Sequence, residues 1–291
     1  MSNNPYSLTG KLVLVTGSGA GIGQGVALEA ARQGADVALH YATSADGALE
    51  AASQIEAMGR RAVVIQADLR EVAACQRLVD EAAAFLGGLD GLVNNSGITF
   101  ITDFQDVTPE EFDHIFQVNM RAQFFCAQRA VHYMIERGRE LRRLFPEQPW
   151  AGGSIVNISS VHSLVGLPRH AVYAASKGAV TAFSRELAVE LCPAHIRVNV
   201  LAPGTIEVPR YWLTDPSYDQ EVGNSLVPWG RVGLPQDVGY LTTFLLSDAS
   251  EFMTGSVLTF DGGLTAKMAL PQRPPDGGKV SGTQSRGKPD K

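Results

Sequence analysis

The chain has 291 residues, 45% hydrophobic and 19% charged, with 24 basic and 30 acidic side chains. That length allows one large domain or two small ones, and the composition is globular rather than disordered. The acidic balance without a long basic run argues against a nucleic-acid binder, and no apolar stretch reaches the roughly 18 residues of a membrane helix. The first strand is expected at 12–15, where Leu, Val, Leu and Val form a short, wholly apolar run. A helical pattern follows at 22–33, then a strand at 37–39, a helix at 45–58, a strand at 62–67 and a helix at 72–86. Residues 91–93 read as strand, 109–132 as helix, 154–158 as strand, 174–191 as helix and 197–201 as strand. A helix at 236–246 and a strand at 257–260 complete the series. Strands alternating with helices of this length imply βαβ crossovers. The expected fold is therefore α/β, a single-domain Rossmann-type doubly wound parallel sheet with helices on both faces. One domain is expected over 1–270.

From Pro271 the text turns to Pro, Gly, Ser and Lys, and Val280 is its only large apolar residue. Such a segment cannot bury enough surface to offset its ordering entropy, so 271–291 is expected to be a disordered tail. Three scattered cysteines, Cys75, Cys126 and Cys192, argue against a disulfide framework or a Cys-rich metal centre. The six histidines show no HExxH spacing, and no metal site is expected. The opening residues lack a basic and then apolar leader pattern, so a cytoplasmic protein is expected. Only six of the basic residues are lysine, and Lys177 is the single one between Leu12 and Ala266.

After the first strand comes Thr16-Gly17-Ser18-Gly19-Ala20-Gly21-Ile22-Gly23, leading straight into a helix. Glycines let a backbone turn tightly against a pyrophosphate, and a helix N-terminus offers free N–H groups and a favourable dipole. The spacing is TGxxxGxG rather than GxGxxG, and its position inside a βαβ unit favours phosphate binding over a plain flexible turn. Asn94-Asn95-Ser96-Gly97 follows the fourth strand, and Tyr173-Ala174-Ala175-Ser176-Lys177 comes later. Together these motifs resemble the short-chain dehydrogenase/reductase family over roughly residues 8–264. Ser96 stands where that family usually has alanine.

The resemblance implies a nicotinamide dinucleotide on Gly17, Ser18, Gly21, Ile22 and Gly23. It implies Asp68 and Leu69 at the adenine, Asn95 near the ribose or bracing the sheet, and Thr205 at the nicotinamide. Asp68 also suits a helix N-cap. The second strand ends His40-Tyr41-Ala42-Thr43-Ser44, with no acid before Asp46 to hold a ribose and repel a 2′-phosphate. No arginine or lysine lies between Arg32 and Arg60 either. Thr43, Ser44 and His40 are the candidates for holding a phosphate. NADP(H) is favoured, and NAD(H) stays open.

Tyr173 and Lys177 stand four residues apart on a helix, hence on one face. By resemblance Ser160, rather than Ser159, and Asn119 complete a catalytic group. Moving a hydride between an alcohol and nicotinamide requires a proton to move at the same oxygen. Free tyrosine, with a pKa of about 10, is a poor base at neutral pH, and a nearby ammonium favours its phenolate. Tyr173 is the expected acid/base, Lys177 its electrostatic partner and ribose donor, and Ser160 the hydrogen bond to the substrate oxygen. Asn119 is expected to hold a water that relays protons to Lys177.

His162, directly after Ser160-Val161, and Arg169 border the expected site and are candidate substrate contacts. The text Ser159-Ser160-Val161-His162 is similar to glucose dehydrogenases of the family. That favours a sugar, polyol or other small hydroxylated substrate. The alternative enzyme is a 3-oxoacyl-thioester reductase, and the alternative outside catalysis is a dinucleotide-sensing binding protein. The segment from Glu207 to Trp229, with Tyr211, Trp212 and Pro216, reads as a substrate lid. The arginine-rich stretch from Arg137 to Trp150 reads as a helix extension ending near Pro146. No membrane and no nucleic-acid partner is expected; the family commonly forms homotetramers, so a homo-oligomer, tetramer or dimer, is.

Overall fold

The computed structural model describes residues 4–43, 45–147, 152–209 and 217–267. Seven strands form one sheet in the order β3-β2-β1-β4-β5-β6-β7, with every pair parallel. They are β1 (Leu12–Val15), β2 (Asp36–Tyr41), β3 (Ala62–Gln66), β4 (Gly91–Asn94), β5 (Ser154–Ile158), β6 (Arg197–Pro203) and β7 (Val257–Phe260). Side chains alternate between the two faces, as the strand period requires. Leu12 and Leu14 enter one core with Leu78, Cys126, Ile155 and Val198. Val13 and Val15 enter the other with Val26, Leu39, Val156 and Val238. A strand buried on both faces must be apolar at every position, which is why β1 reads as an unbroken run. Each fully buried Leu or Val contributes about 1.5–3 kcal/mol.

The helices cover both faces. α1 (Gly21–Arg32) and α2 (Ala45–Ala57) lie on one side, and α3 (Val72–Leu86) on the other. α4 (Pro109–Phe116) starts at a capping box, in which Thr108 accepts from the Glu111 N–H at 3.2 Å and Glu111 accepts from the Thr108 N–H at 3.1 Å. The helix expected over 109–132 is then broken. One π-helical turn, Gln117–Arg121, separates α4 from α5 (Ala122–Leu144). α5 carries the predicted extension and stops two residues before Pro146, whose ring disfavours helix at the residue before it. α6 (Ala171–Leu191), α7 (Gln220–Leu226) and α8 (Pro235–Leu246) complete the chain order. The expected tail and lid residues Tyr211, Trp212 and Pro216, with Trp150, lie outside the described residues.

The sheet order reverses direction between β1 and β4. In an open parallel sheet such a switch point leaves a crevice at the carboxyl ends of the strands, and ligands bind there. Two loops meet at that crevice: the glycine-rich one after β1 and Asn95-Ser96-Gly97 after β4.

Candidate active site

A cleft of about 770 Å³ opens at the switch point. Gly17, Gly21 and Ile22 line it on one side, with Asn95, Ser96 and Gly97 beside them and Ser160, Tyr173 and Lys177 deeper in. The glycine loop is held by Thr16, whose hydroxyl oxygen accepts from the N–H groups of Asn95 and Ser96 at 3.0 Å each. Asn95 returns its amide to the carbonyls of Thr16 at 3.0 Å and Gly17 at 3.1 Å. Asn95 thus braces the loop, as well as lining the cleft. Gly17 and Gly21 have φ of 66° and 57°, the left-handed region that glycine enters without a Cβ penalty. Gly23 is required for a different reason: a Cβ there would lie 2.3 Å from the Gly17 carbonyl oxygen. Ser18 is fully buried, and its hydroxyl donates to the Val15 carbonyl at 3.0 Å. It supports the loop from behind and does not line the cleft.

At the adenine end the structure departs from expectation. His40 lines the cleft, but both of its ring nitrogens are already engaged. Its ring is buried, Nδ1 accepts from the Gly17 N–H at 2.9 Å, and Nε2 meets the Ala67 carbonyl at 3.0 Å. Thr43 lines the cleft, and Ser44 lies outside the described residues. Asp68 and Leu69 line it too, but the Asp68 carboxylate sits in the fork of Arg70, with contacts of 3.0 and 2.5 Å. The guanidinium holds the Asp68 carboxyl below its usual range. Asp68 does not cap α3; that position belongs to Glu71. Arg70 itself lines the cleft and escaped sequence reasoning. The signal was its place two residues after Asp68, where β3 runs out at the crevice.

The expected catalytic residues converge from three elements. The π turn points Asn119 inward, fully buried; its Oδ1 accepts from the Ile98 N–H at 2.8 Å. Its amide donates to the Ile98 carbonyl at 2.9 Å and the Ser176 hydroxyl at 3.1 Å. The side chain therefore fixes the loop after β4 against α6. Ser160 follows β5 by two residues and caps the short turn Val161–Ser163. Ser159 spends its hydroxyl on the Lys177 carbonyl at 2.9 Å. Lys177 is buried, with Nζ donating to the Ile158 carbonyl at 2.9 Å and standing 5.7 Å from the Tyr173 ring centre. Burial without a carboxylate partner lowers its ammonium from 10.5 to about 8. Gly97 leaves room for it, since a Cβ there would sit 3.3 Å from Nζ.

Neither substrate candidate, His162 or Arg169, lines the cleft. The His162 ring packs edge-on to Tyr173, with centres 5.4 Å apart, and lies 5.0 Å from His170. Its Nδ1 is buried without a hydrogen-bond partner, and burial lowers its pKa. Arg169 turns elsewhere: its Nε lies 3.3 Å from Asp103, and its carbonyl accepts from the Thr102 N–H. It ties the loop after β5 to the loop after β4 and is not a cleft residue. Thr205 is also absent from the lining, where Gly204 and Ile206 stand instead.

The residues present fit a dinucleotide. The Ser96 hydroxyl is buried beside the glycine loop with no partner of its own, the ammonium of Lys177 meets a single carbonyl, and the N-terminus of α1 opens on the same space. Comparison with known proteins agrees. The protein-family profile described as Enoyl-(Acyl carrier protein) reductase matches residues 17–265. Versicolorin reductase of Emericella nidulans is 38% identical over 273 residues, covering 90% of this chain and 98% of its own. The chain belongs to the short-chain dehydrogenase/reductase family. A hydroxynaphthalene reductase-like protein of Metarhizium robertsii is 41% identical, over 89% of this chain and 96% of that one. A short-chain dehydrogenase of Burkholderia cenocepacia, solved in complex with NADP, superposes with a TM-score of 0.78 at 33% identity, covering 89% of this chain and 99% of that one. Like other members of the short-chain dehydrogenase/reductase family, this protein is an oxidoreductase of carbonyl or CH–OH groups that uses a nicotinamide cofactor.

Proposed function

We propose that the protein reduces the carbonyl of a small hydroxylated compound with NADPH, or runs the reverse oxidation, using Tyr173 as acid/base. The observation that carries this is the buried Lys177 ammonium beside the Tyr173 ring, at the inner end of a cleft that begins at a glycine loop. The cofactor supplies or accepts the hydride. Ser160 holds the substrate oxygen by a hydrogen bond, and Tyr173 gives that oxygen its proton in reduction or removes it in oxidation. The Lys177 charge favours the phenolate left behind, and its remaining N–H groups suit ribose hydroxyls. The Ile158 carbonyl fixes Nζ, and Asn119 fixes the loop and helix on either side. Gly17, Gly21 and Ile22 cradle the pyrophosphate, with Asp68 and Leu69 at the adenine and Thr43 toward the adenosine ribose. Residues 1–270 are taken as one domain for this function.

NADP(H) is favoured because β2 ends without an acid and Arg70, paired with Asp68, brings a guanidinium to the adenine end. Two observations bear on the substrate. His162 places a buried, unpartnered nitrogen next to the proposed acid/base, which suits a second hydroxyl on a sugar, polyol or hydroxyketone. Leu164, Val165 and Leu167, exposed on the connection from Ser160 to Tyr173, favour a substrate with an apolar body, such as a hydroxylated aromatic ketone. An assay panel of sugars, polyols, hydroxyaryl ketones and 3-oxoacyl thioesters with both cofactors decides among these. Turnover of none of them, with the cofactor bound, would leave the dinucleotide-sensing protein as the reading.

A homo-oligomer belongs to the proposal; a second, apolar groove lined by Phe104, Val107, Phe112 and Val172 supports it. No described helix is long and apolar enough to cross a membrane. Free thiols at Cys75, Cys126 and Cys192 support a reducing, cytoplasmic location.

A further inference from the structure

The glycine loop is held by one residue of the neighbouring strand to an unusual degree. His40 accepts from the Gly17 N–H through Nδ1. Its carbonyl accepts from the Ser18 N–H at 2.8 Å, and its own N–H donates to the Ser18 hydroxyl at 2.9 Å. Nε2 then reaches the Ala67 carbonyl at 3.0 Å, one residue before Asp68. One side chain and its backbone therefore join the glycine loop, the end of β2 and the end of β3. Those are the three segments that line the adenine half of the cleft.

The bonding pattern fixes the protonation state. A backbone N–H only donates, so Nδ1 must carry a lone pair, and a carbonyl only accepts, so Nε2 must carry the hydrogen. The ring is neutral in one tautomer. Adding a proton at Nδ1 would set two donors against each other in a buried position. Gly17 cannot simply move away on its other side, where Ser96 and Asn95 stand about as close as a Cβ would tolerate.

We propose that His40 is a positioning residue of the dinucleotide site: its neutral, Nε2-protonated ring holds Gly17 in the binding conformation, and protonation releases it. Burial already disfavours the charged ring and lowers its pKa below 6.5. The surroundings offer little to reverse that. β1, the glycine loop and β3 bring no charged or titratable side chain. α3 packs Cys75 on this face, and the carboxylate of Asp68 is taken up by Arg70. Because the folded value lies below the ordinary one, affinity is complete above about 6.5 and falls as pH drops through the folded value.

The test measures NADPH and NADH dissociation constants by fluorescence between pH 8 and pH 5.5, within the range where the far-ultraviolet circular dichroism is unchanged. His40→Asn places an amide oxygen where Nδ1 stood and does not titrate. It should bind within about threefold of wild type at pH 8 and lose the acid-side weakening. His40→Gln reaches toward Ala67 instead and should bind roughly tenfold more weakly at every pH. Wild type should weaken relative to His40→Asn toward the acid end of the range, by at most about tenfold at pH 5.5, the limit set by an ordinary histidine value, and titration of the cofactor itself cancels in that comparison. Parallel pH profiles for wild type and His40→Asn would overturn the proposal. So would ring nitrogen-15 spectra of the wild-type protein showing a proton on Nδ1 at pH 8, a reading that needs no variant to fold. The inference rests on dinucleotide binding and not on the choice of dinucleotide. If NADH binds more tightly than NADPH, the NADP preference fails while the His40 comparison stands.

Discussion

Replacing Lys177 by methionine should make the cofactor-free protein more stable while ending its activity. The ammonium is buried and meets one carbonyl, and burial lowers its pKa from 10.5 to about 8. That interval corresponds to about 3 kcal/mol, at about 1.4 kcal/mol per pH unit, spent on keeping the charge inside the fold. Methionine removes the charge but leaves the Ile158 carbonyl without its donor, a loss of about 1 kcal/mol. The net gain is about 2 kcal/mol, or roughly 4–8 °C in Tm for a domain of this size. The sign follows from proton linkage. Below about 8 both folded and unfolded chains carry the proton, and the folded one bears the full penalty. Between about 8 and 10.5 the folded lysine sheds its proton while the unfolded one keeps it, so the penalty fades as pH rises. Differential scanning calorimetry at pH 7 and pH 10.5 should show the methionine variant ahead at the first and slightly behind wild type at the second, where only the lost hydrogen bond remains. A lower Tm than wild type at pH 7, or an advantage unchanged at pH 10.5, would refute this account of Lys177.

Other outcomes follow from the same geometry. Tyr173→Phe should keep its cofactor affinity and lose at least about a thousandfold in kcat; wild-type turnover would remove Tyr173 from the acid/base role. Lys177→Arg should fail similarly, because a broad guanidinium cannot replace a compact ammonium between the Ile158 carbonyl and Gly97, and near-normal kcat would contradict the fit described. Gly23→Ala should weaken cofactor binding by tenfold or more, as measured by titration, since its Cβ would meet backbone at 2.3 Å. Arg70→Ala should raise KM for NADPH more than KM for NADH, and equal effects on both would place Arg70 outside phosphate recognition.

Much of this was legible because some positions admit few residue types. A left-handed φ at Gly17 and Gly21 and a backbone contact at Gly23 demand glycine, so the loop announces itself in the sequence. β1 is equally plain, since burial on both faces leaves no polar position to confuse its period. The break at Gln117–Arg121 was hidden, because a π turn adds a residue to the helix without interrupting its helical text. His40 and Arg169 were misjudged for a common reason. Their partners, Gly17 and Asp103, lie 23 and 66 residues away in the chain, and nothing in a local window of sequence reveals a long-range hydrogen bond or ion pair. Arg70 is not legible locally, because only the sheet order brings the end of β3 to the same cleft as the end of β2.

The reversal of strand order between β1 and β4 also divides labour. Everything assigned to the dinucleotide's adenosine half hangs from β1, β2 and β3, and the expected substrate contacts hang from β5 and the start of α6. The loop after β6, with Gly204, Ile206 and Val208, lines the cleft between the two halves and belongs to both. The loop after β5 is therefore the part that can change between relatives while the cofactor half stays as it is. The fold is in that sense already arranged for a change of substrate without a change of redox partner.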